Sequence, residues 1–233
     1  MTNEVLLILN LIFIYSSVLI FYKGLGTIGL YCWTVFATIT ANIEVLLVVD
    51  AFAMEQTLGN ILFASTFIVT DILSETEGKK AAQKAVIIGI MTSLVFIIIS
   101  NCWIRYIPSD SDFASAAIKT IFSNTPRLMI SSITVYTIVQ LFDVFAYHFI
   151  WKITTTISKS KENFLWLRNN GATLISQLLN TFLYTFAAFY GIYSTKTLFN
   201  IVFSTFVIYI ITSLLDTPVV YIARKIYLNK NPK

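Results

Sequence analysis

Long apolar runs recur along this sequence, each about as long as a bilayer is thick. The first, Val5 to Phe21, contains no charged residue, and six further runs follow it. A helix needs about 17–25 such residues to cross the hydrocarbon. Of the 233 residues, 57% are hydrophobic and 12% charged, where a soluble domain carries about 25% charged. The expected fold class is all-α, a polytopic bundle of membrane helices. A transmembrane barrel would need short alternating segments, which are absent. With no internal repeat and no Gly/Ser/Pro-rich linker, residues 1–233 read as a single domain.

Seven spans are expected: Glu4–Tyr22, Thr27–Val49, Thr57–Leu73, Lys84–Ile104, Pro126–Trp151, Gly171–Gly191 and Thr197–Ala223. The first lacks a basic leader and an Ala-x-Ala cleavage site, so it reads as a retained span. Seven spans put twelve of the 16 Lys and Arg residues on one face. Only Arg105, Lys119, Arg127 and Lys196 fall on the other. Positive charge marks the cytoplasmic side, which predicts an external N-terminus and a cytoplasmic C-terminus. Dropping any one internal span would scramble this segregation. The third run is the shortest and reads as tilted, broken or re-entrant. The external segment Ser109–Asn124 reads as an interfacial helix, with Phe113, Ala116, Ala117, Thr120 and Ile121 on one face. Cys32 and Cys102 read as packing residues.

Polar residues inside so apolar a chain are costly and therefore informative. After a wet, cationic turn at Trp166, Arg168, Asn169 and Asn170, the sixth run carries Thr173, Ser176, Gln177, Asn180, Thr181 and Tyr184. These step as one helical face. The fifth run repeats the pattern with Ser132, Tyr136, Gln140, Asp143 and Tyr147. Consecutive antiparallel spans bring Gln140 and Asp143 to the depth of Gln177 and Asn180. Asn42 and Glu44 lie in the outer part of span two, Asn60 in span three, and Asp216 in the inner third of span seven. Polar side chains can act as interhelical glue, but two full stripes at matching depth point to a cavity for a flat, hydrogen-bonding ligand.

On the cytoplasmic side Asp71 and Glu75, one helical turn apart, read as gate partners for Arg168, with Gly78 ending their helix. The alternative is a capped, solvated turn. His148 reads as satisfied or solvent-facing. Ala37-x-x-x-Ala41 offers a close-packing face for a second membrane protein. The chain contains no H-E-x-x-H, G-x-S-x-G, P-loop or C-x-x-C motif, and it has one His and two separated Cys. No enzyme, cofactor or metal site is expected. Inside-positive loops account for the net charge of +4 without nucleic acid.

TLGNILFASTFIVTDILSE at Thr57–Glu75, Arg127 followed by Gln140-x-x-Asp143, and LWLRNN followed by ATLISQLLNT resemble the queuosine-precursor transporter family, also described as vitamin-uptake-transporter-like. The resemblance implies a bacterial inner-membrane importer of 7-deazaguanine bases such as preQ0, preQ1 or queuine. It also implies a six-helix core, shared with the binding subunits of vitamin importers, behind an extra N-terminal helix. Substrate-binding residues expected on this basis are Asn42, Glu44, Asn60, Arg127, Gln140, Asp143, Gln177 and Asn180. Asp71, Glu75 and Arg168 are expected to form a gate. Expected partners are the base and the lipid bilayer, with a homo-oligomer left open. Asp143 or Glu44 would accept the base's N–H donors, and Gln140, Gln177 or Asn180 would serve O6. Two positions depart from the pattern. Asn180 stands where the family commonly has Asp, and Tyr209 where many members have Lys. The alternatives are a subunit of an ATP-driven vitamin importer that needs separate energising subunits, and a membrane scaffold.

Overall fold

In hydrocarbon every backbone N–H must find its partner within its own segment, which favours helices. The computed structural model describes residues 2–52, 54–123 and 126–230. These form eight helices and one hairpin in the order α1 (Asn3–Leu25), α2 (Thr27–Glu44), β1 (Val48–Ala51), β2 (Met54–Thr57), α3 (Gly59–Thr76), α4 (Lys79–Trp103), α5 (Ser115–Ser123), α6 (Pro126–Ser158), α7 (Leu165–Phe189) and α8 (Thr195–Lys230). The last residues of the predicted external segment (Asn124) and of the basic C-terminus (Lys233) lie outside the described residues.

The two ends of the bundle are distinguished by their contacts. At one end Asn3 donates to the Asp50 carbonyl at 2.9 Å, and Glu4 accepts the Phe52 N–H at 3.2 Å, so the start of α1 holds the hairpin. At the other end Arg168 and Arg224 converge on Glu75, and Lys230 reaches the carbonyl of Lys23. All helices except the nine-residue α5 run between these ends.

Among the described residues five helices are long and apolar enough to cross a membrane: α1, α4, α6, α7 and α8. The seven-span expectation exceeds that count by α2 and α3, each 18 residues or about 27 Å long. The shortfall has a physical cause. Fifteen of the 18 residues of α3 are buried among neighbouring helices, so its outer surface meets protein and its sequence has no lipid-facing stripe to show. The Lys/Arg segregation cannot separate seven spans from five, because α2 and α3 leave and return as a pair.

α3 runs unbroken and packs against α1, α2, α4, α6 and α8. Its close seating on α2 depends on Gly59, where a Cβ would lie 2.9 Å from the Ala41 carbonyl. Ala37 and Ala41 are therefore consumed inside the chain and form no outward face. At the far end of α3, Gly78 adopts φ +86°, and its N–H and that of Glu77 return to the Leu73 carbonyl.

Other expectations need correction. Span two stops at Glu44, and the apolar residues after it enter the hairpin, in which Val48 pairs with Thr57. Residues 165–170 are the first turns of α7 and not a wet turn. Arg168 and Asn169 are fully buried there, while Trp166 faces out. Cys32 and Cys102 are exposed on the bundle surface, among the side chains facing lipid, and do not pack the core. Helix α5 is capped by Asp112, whose carboxylate accepts the N–H groups of Ala114 and Ser115 and is thereby held below the usual carboxylate range. It docks on α4 through Ile118 and Phe122, so Phe113, Ala116, Ala117, Thr120 and Ile121 face away from the bundle.

Candidate functional site

The helices are apolar outside and polar inside. On α7, Thr173, Ser176, Gln177, Asn180 and Thr181 are buried, while Ile175, Leu178 and Phe182 are exposed. On α6, Tyr136, Gln140, Asp143 and Tyr147 are buried, while Ile138, Leu141 and Phe145 are exposed. α3 adds Thr66, Thr70, Asp71 and Ser74, and α8 adds Tyr209, Ser213 and Asp216. The polar interior falls into three tiers.

The first tier is a cavity of about 510 Å³ at the hairpin end, walled by Val45 and Val48 on one side and by Phe189, Thr197 and Ser204 on the other. Asn60, Asn180, Tyr184 and Tyr209 line both this cavity and a smaller annex of about 60 Å³ that reaches Ser132 and Phe63. The Asn60 Oδ1 accepts from Tyr209 at 3.3 Å and from Thr57 at 3.2 Å. The Tyr209 hydroxyl also faces Asn180. Asn180 and Tyr209 thus meet at the cavity floor, where no charged group among the described residues lines the wall.

The second tier begins about 4.5 Å further along α7, three residues from Asn180. The Gln140 amide donates to Thr66 Oγ1 at 2.7 Å. Ser176 faces the Asp143 carboxylate without closing a hydrogen bond. Both oxygens of Asp143, both polar atoms of Gln177 and the Gln140 carbonyl make no hydrogen bond among the described residues, although all three side chains are buried. Buried polar atoms are ordinarily paired, so such a concentration marks a place built to meet something else.

The third tier closes the opposite end. Arg168 grips Glu75 through Nη2 at 2.7 Å and Nε at 2.9 Å, with the two side chains 0% and 2% exposed. Its Nη1 donates to the Asn163 carbonyl at 2.7 Å, and its guanidinium lies 4.5 Å from the Trp151 ring. Tyr147 donates to Glu75 at 2.9 Å, and Arg224 approaches Glu75 at 3.4 Å. The expected pairing of Asp71 with Arg168 does not form. Asp71 accepts from Thr173 at 3.1 Å, one turn above the ion pair. A bidentate guanidinium satisfies one carboxylate, and Glu75 is the one level with it.

The other predicted site residues separate. Asn60 and Asn180 belong to the cavity, and Gln140, Asp143 and Gln177 to the tier beneath it. Asn42 donates to the Thr38 carbonyl at 2.7 Å, within its own helix. Glu44 lines a different cleft, with Asn10, Ser17 and Trp33 between α1 and α2. Arg127 tethers the end of α7 through the carbonyls of Ala187 and Tyr190. Its fork satisfies helix-terminal carbonyls, a common use for a basic residue. His148 stacks on Trp151 at 5.7 Å, with its Nε2 making no hydrogen bond among the described residues. Sequence reasoning missed Thr66, which accepts from Gln140; with the buried Thr70 and Ser74, at i+4 and i+8, it makes a third polar stripe.

A family model described as "Putative vitamin uptake transporter" matches residues 57–223, from the end of the hairpin through most of α8. The chain belongs to that family. A protein of Bacillus subtilis (strain 168) named "Probable queuosine precursor transporter" is 38% identical over 212 residues, covering 91% of this chain and 90% of the relative. No solved structure matches. The matched region includes the second tier, the Glu75–Arg168 pair and most of the cavity wall, while α1, α2, Val45 and Val48 of that wall, and Arg224 lie outside it. This family member is a multi-pass helical membrane protein.

Proposed function

We propose that the chain imports queuosine precursors, 7-deazaguanine bases such as preQ0, preQ1 or queuine, across a bacterial inner membrane, with its N-terminus outside. The observation that carries this reading is the unpaired set of Asp143, Gln177 and Gln140 directly beneath the cavity. The named relative gives the ligand class. A deazaguanine edge offers N–H donors at N1 and the 2-amine and an acceptor at O6. Asp143 would take the donors and the Gln177 or Gln140 amide would serve O6. Asn60, Asn180 and Tyr209 would receive the base first, in the cavity. The Glu75–Arg168 pair would hold the cytoplasmic end shut meanwhile. Residues 1–233 would act as one domain.

Expression of the chain alone in a strain lacking its own precursor transporter tests the proposal. Uptake of labelled preQ0 or preQ1 supports an importer complete in itself. Rescue only with an added energising module would make it a binding subunit, and no rescue in either case would overturn transport. The burial of Ala37 and Ala41 within the bundle removes the one sequence feature that pointed to a separate module.

A further inference from the structure

Below the cavity three helices each bury one aspartate: Asp71 on α3, Asp143 on α6 and Asp216 on α8, with 0%, 0% and 1% exposure. They lie within electrostatic reach of one another. Counting charge around them gives an imbalance. Glu75 and Glu162 are matched by Arg168 and Arg224, at 2.7, 3.4 and 3.9 Å, so that network is neutral. The α4 lysines nearest the bundle lie elsewhere, Lys79 over the Phe145 ring and Lys84 over Tyr31. Glu44 sits at the hairpin end of α2. Glu75 faces Asp71 as a like charge, and each aspartate also meets a hydroxyl. Thr173 donates to Asp71, Ser176 faces Asp143 and Tyr15 faces Asp216, with Tyr147 nearby on α6. The Tyr15 and Ser176 hydroxyls are buried, are aimed at these carboxylates and make no hydrogen bond among the described residues.

Three uncompensated anions in an apolar bundle are untenable, since each costs several kcal/mol. Something must neutralise them. Each aspartate sits on a separate helix against its own hydroxyl, an arrangement that suits neutralisation carboxyl by carboxyl. We propose that Asp71, Asp143 and Asp216 form a proton-binding site whose occupancy is coupled to movement of the ligand. A proton arriving through the cavity adds to a carboxylate oxygen and gives a neutral carboxylic acid. Only that neutral form can be sealed from water while the bundle rearranges. That proton leaves as the Glu75 end opens while the other two carboxyls keep theirs, so one proton accompanies one ligand and no bond in the ligand changes. The coupling rests on the transport reading above, but the proton site itself does not.

Purified protein in lipid vesicles tests both parts. Infrared difference spectra of ligand-free protein should show the carbonyl stretch of protonated carboxylic acids at neutral pH, and the band should shrink in Asp216→Asn and in Asp71→Asn. An inward-acid gradient of one pH unit, with membrane potential clamped, should concentrate preQ0 about tenfold at equilibrium for one proton per ligand. Asp216→Asn should abolish that accumulation while preQ0 exchange at equal concentrations persists, which shows that the variant is folded. Absence of the carboxylic acid band would overturn the proton site. Accumulation unaffected by the gradient, with exchange intact, would overturn the coupling. If no base is transported at all, the transport reading and the coupling fail together, and the infrared band still decides the site.

Discussion

Glu75→Gln and Arg168→Met should cost unequal amounts of stability, and the contacts say which costs more. Both side chains are almost fully buried, so removing either partner strands a charge, at about 3–5 kcal/mol. Without Arg168, Glu75 keeps the Tyr147 hydroxyl at 2.9 Å and Arg224 at 3.4 Å. Without the Glu75 charge, Arg168 keeps the Asn163 carbonyl, the Trp151 ring face and one neutral amide oxygen of the Gln, with a second guanidinium close by. Arg168→Met should therefore fall near 3 kcal/mol and Glu75→Gln near 5 kcal/mol. The double variant removes both charges together and should be milder than Glu75→Gln alone. Equilibrium unfolding of purified protein in mixed detergent micelles measures all three. A Glu75→Gln cost under about 1 kcal/mol, or a larger cost for Arg168→Met, would refute the reasoning. The charge swap at Asp71 and Arg168 that the sequence suggests should give no rescue, because those residues do not pair.

Asp143→Asn keeps side-chain volume but fixes a donor where the carboxyl, once its proton has left, presents only acceptors. PreQ1 binding, normalised to folded protein, should weaken about 30- to 1000-fold, or 2–4 kcal/mol. Unchanged affinity removes Asp143 from the site, and loss of folded protein makes it structural. Asn180→Asp and Tyr209→Lys should each lower the yield of folded protein. Together they should restore it, because a buried pair is tolerated where a lone charge is not, and fluorescence-detected gel filtration reads the outcome. Cysteines placed at Lys159 and Lys230 should resist impermeant reagents on intact cells while one at Lys119 reacts, and labelling at 159 from outside would reverse the orientation.

What the sequence revealed follows from which forces act locally. The stripes on α6 and α7 were legible because a helix in lipid must turn its apolar side outward, and that writes a 3.6-residue period into the chain. α3 faces protein on every side, so no such period is imposed. Its central place appears only once α1, α2, α4, α6 and α8 close around it. Arg168, Asn169 and Asn170 read as wet because cations and amides normally are. Their burial depends on Glu75, 93 residues away, and on Thr217, which accepts from Asn170 at 2.6 Å. Sequence spacing carries no trace of either contact. The hairpin was missed for a related reason, since Val45 to Val49 continues the apolar run of span two up to Asp50, and the chain reverses only at Phe52 (φ 53°).

The departures at Asn180 and Tyr209 make the same point at the level of chemistry. Each alone looks like the loss of a functional charge from the family pattern. In the fold they face one another across the cavity floor and share Asn60 as a neighbour. An amide and a phenol in place of the acid and base that the resemblance implies leave the net charge there unchanged and avoid stranding either ion, which would cost about 3–5 kcal/mol. What remains is a floor of neutral hydrogen-bonding groups above the buried carboxyls of Asp143, Asp71 and Asp216. Selection by hydrogen bonding is thereby separated, along the axis of the bundle, from the place where charge must be neutralised. In the proposed importer a ligand would be recognised first by Asn60, Asn180 and Tyr209, and would meet Asp143 only on moving about one helical turn deeper.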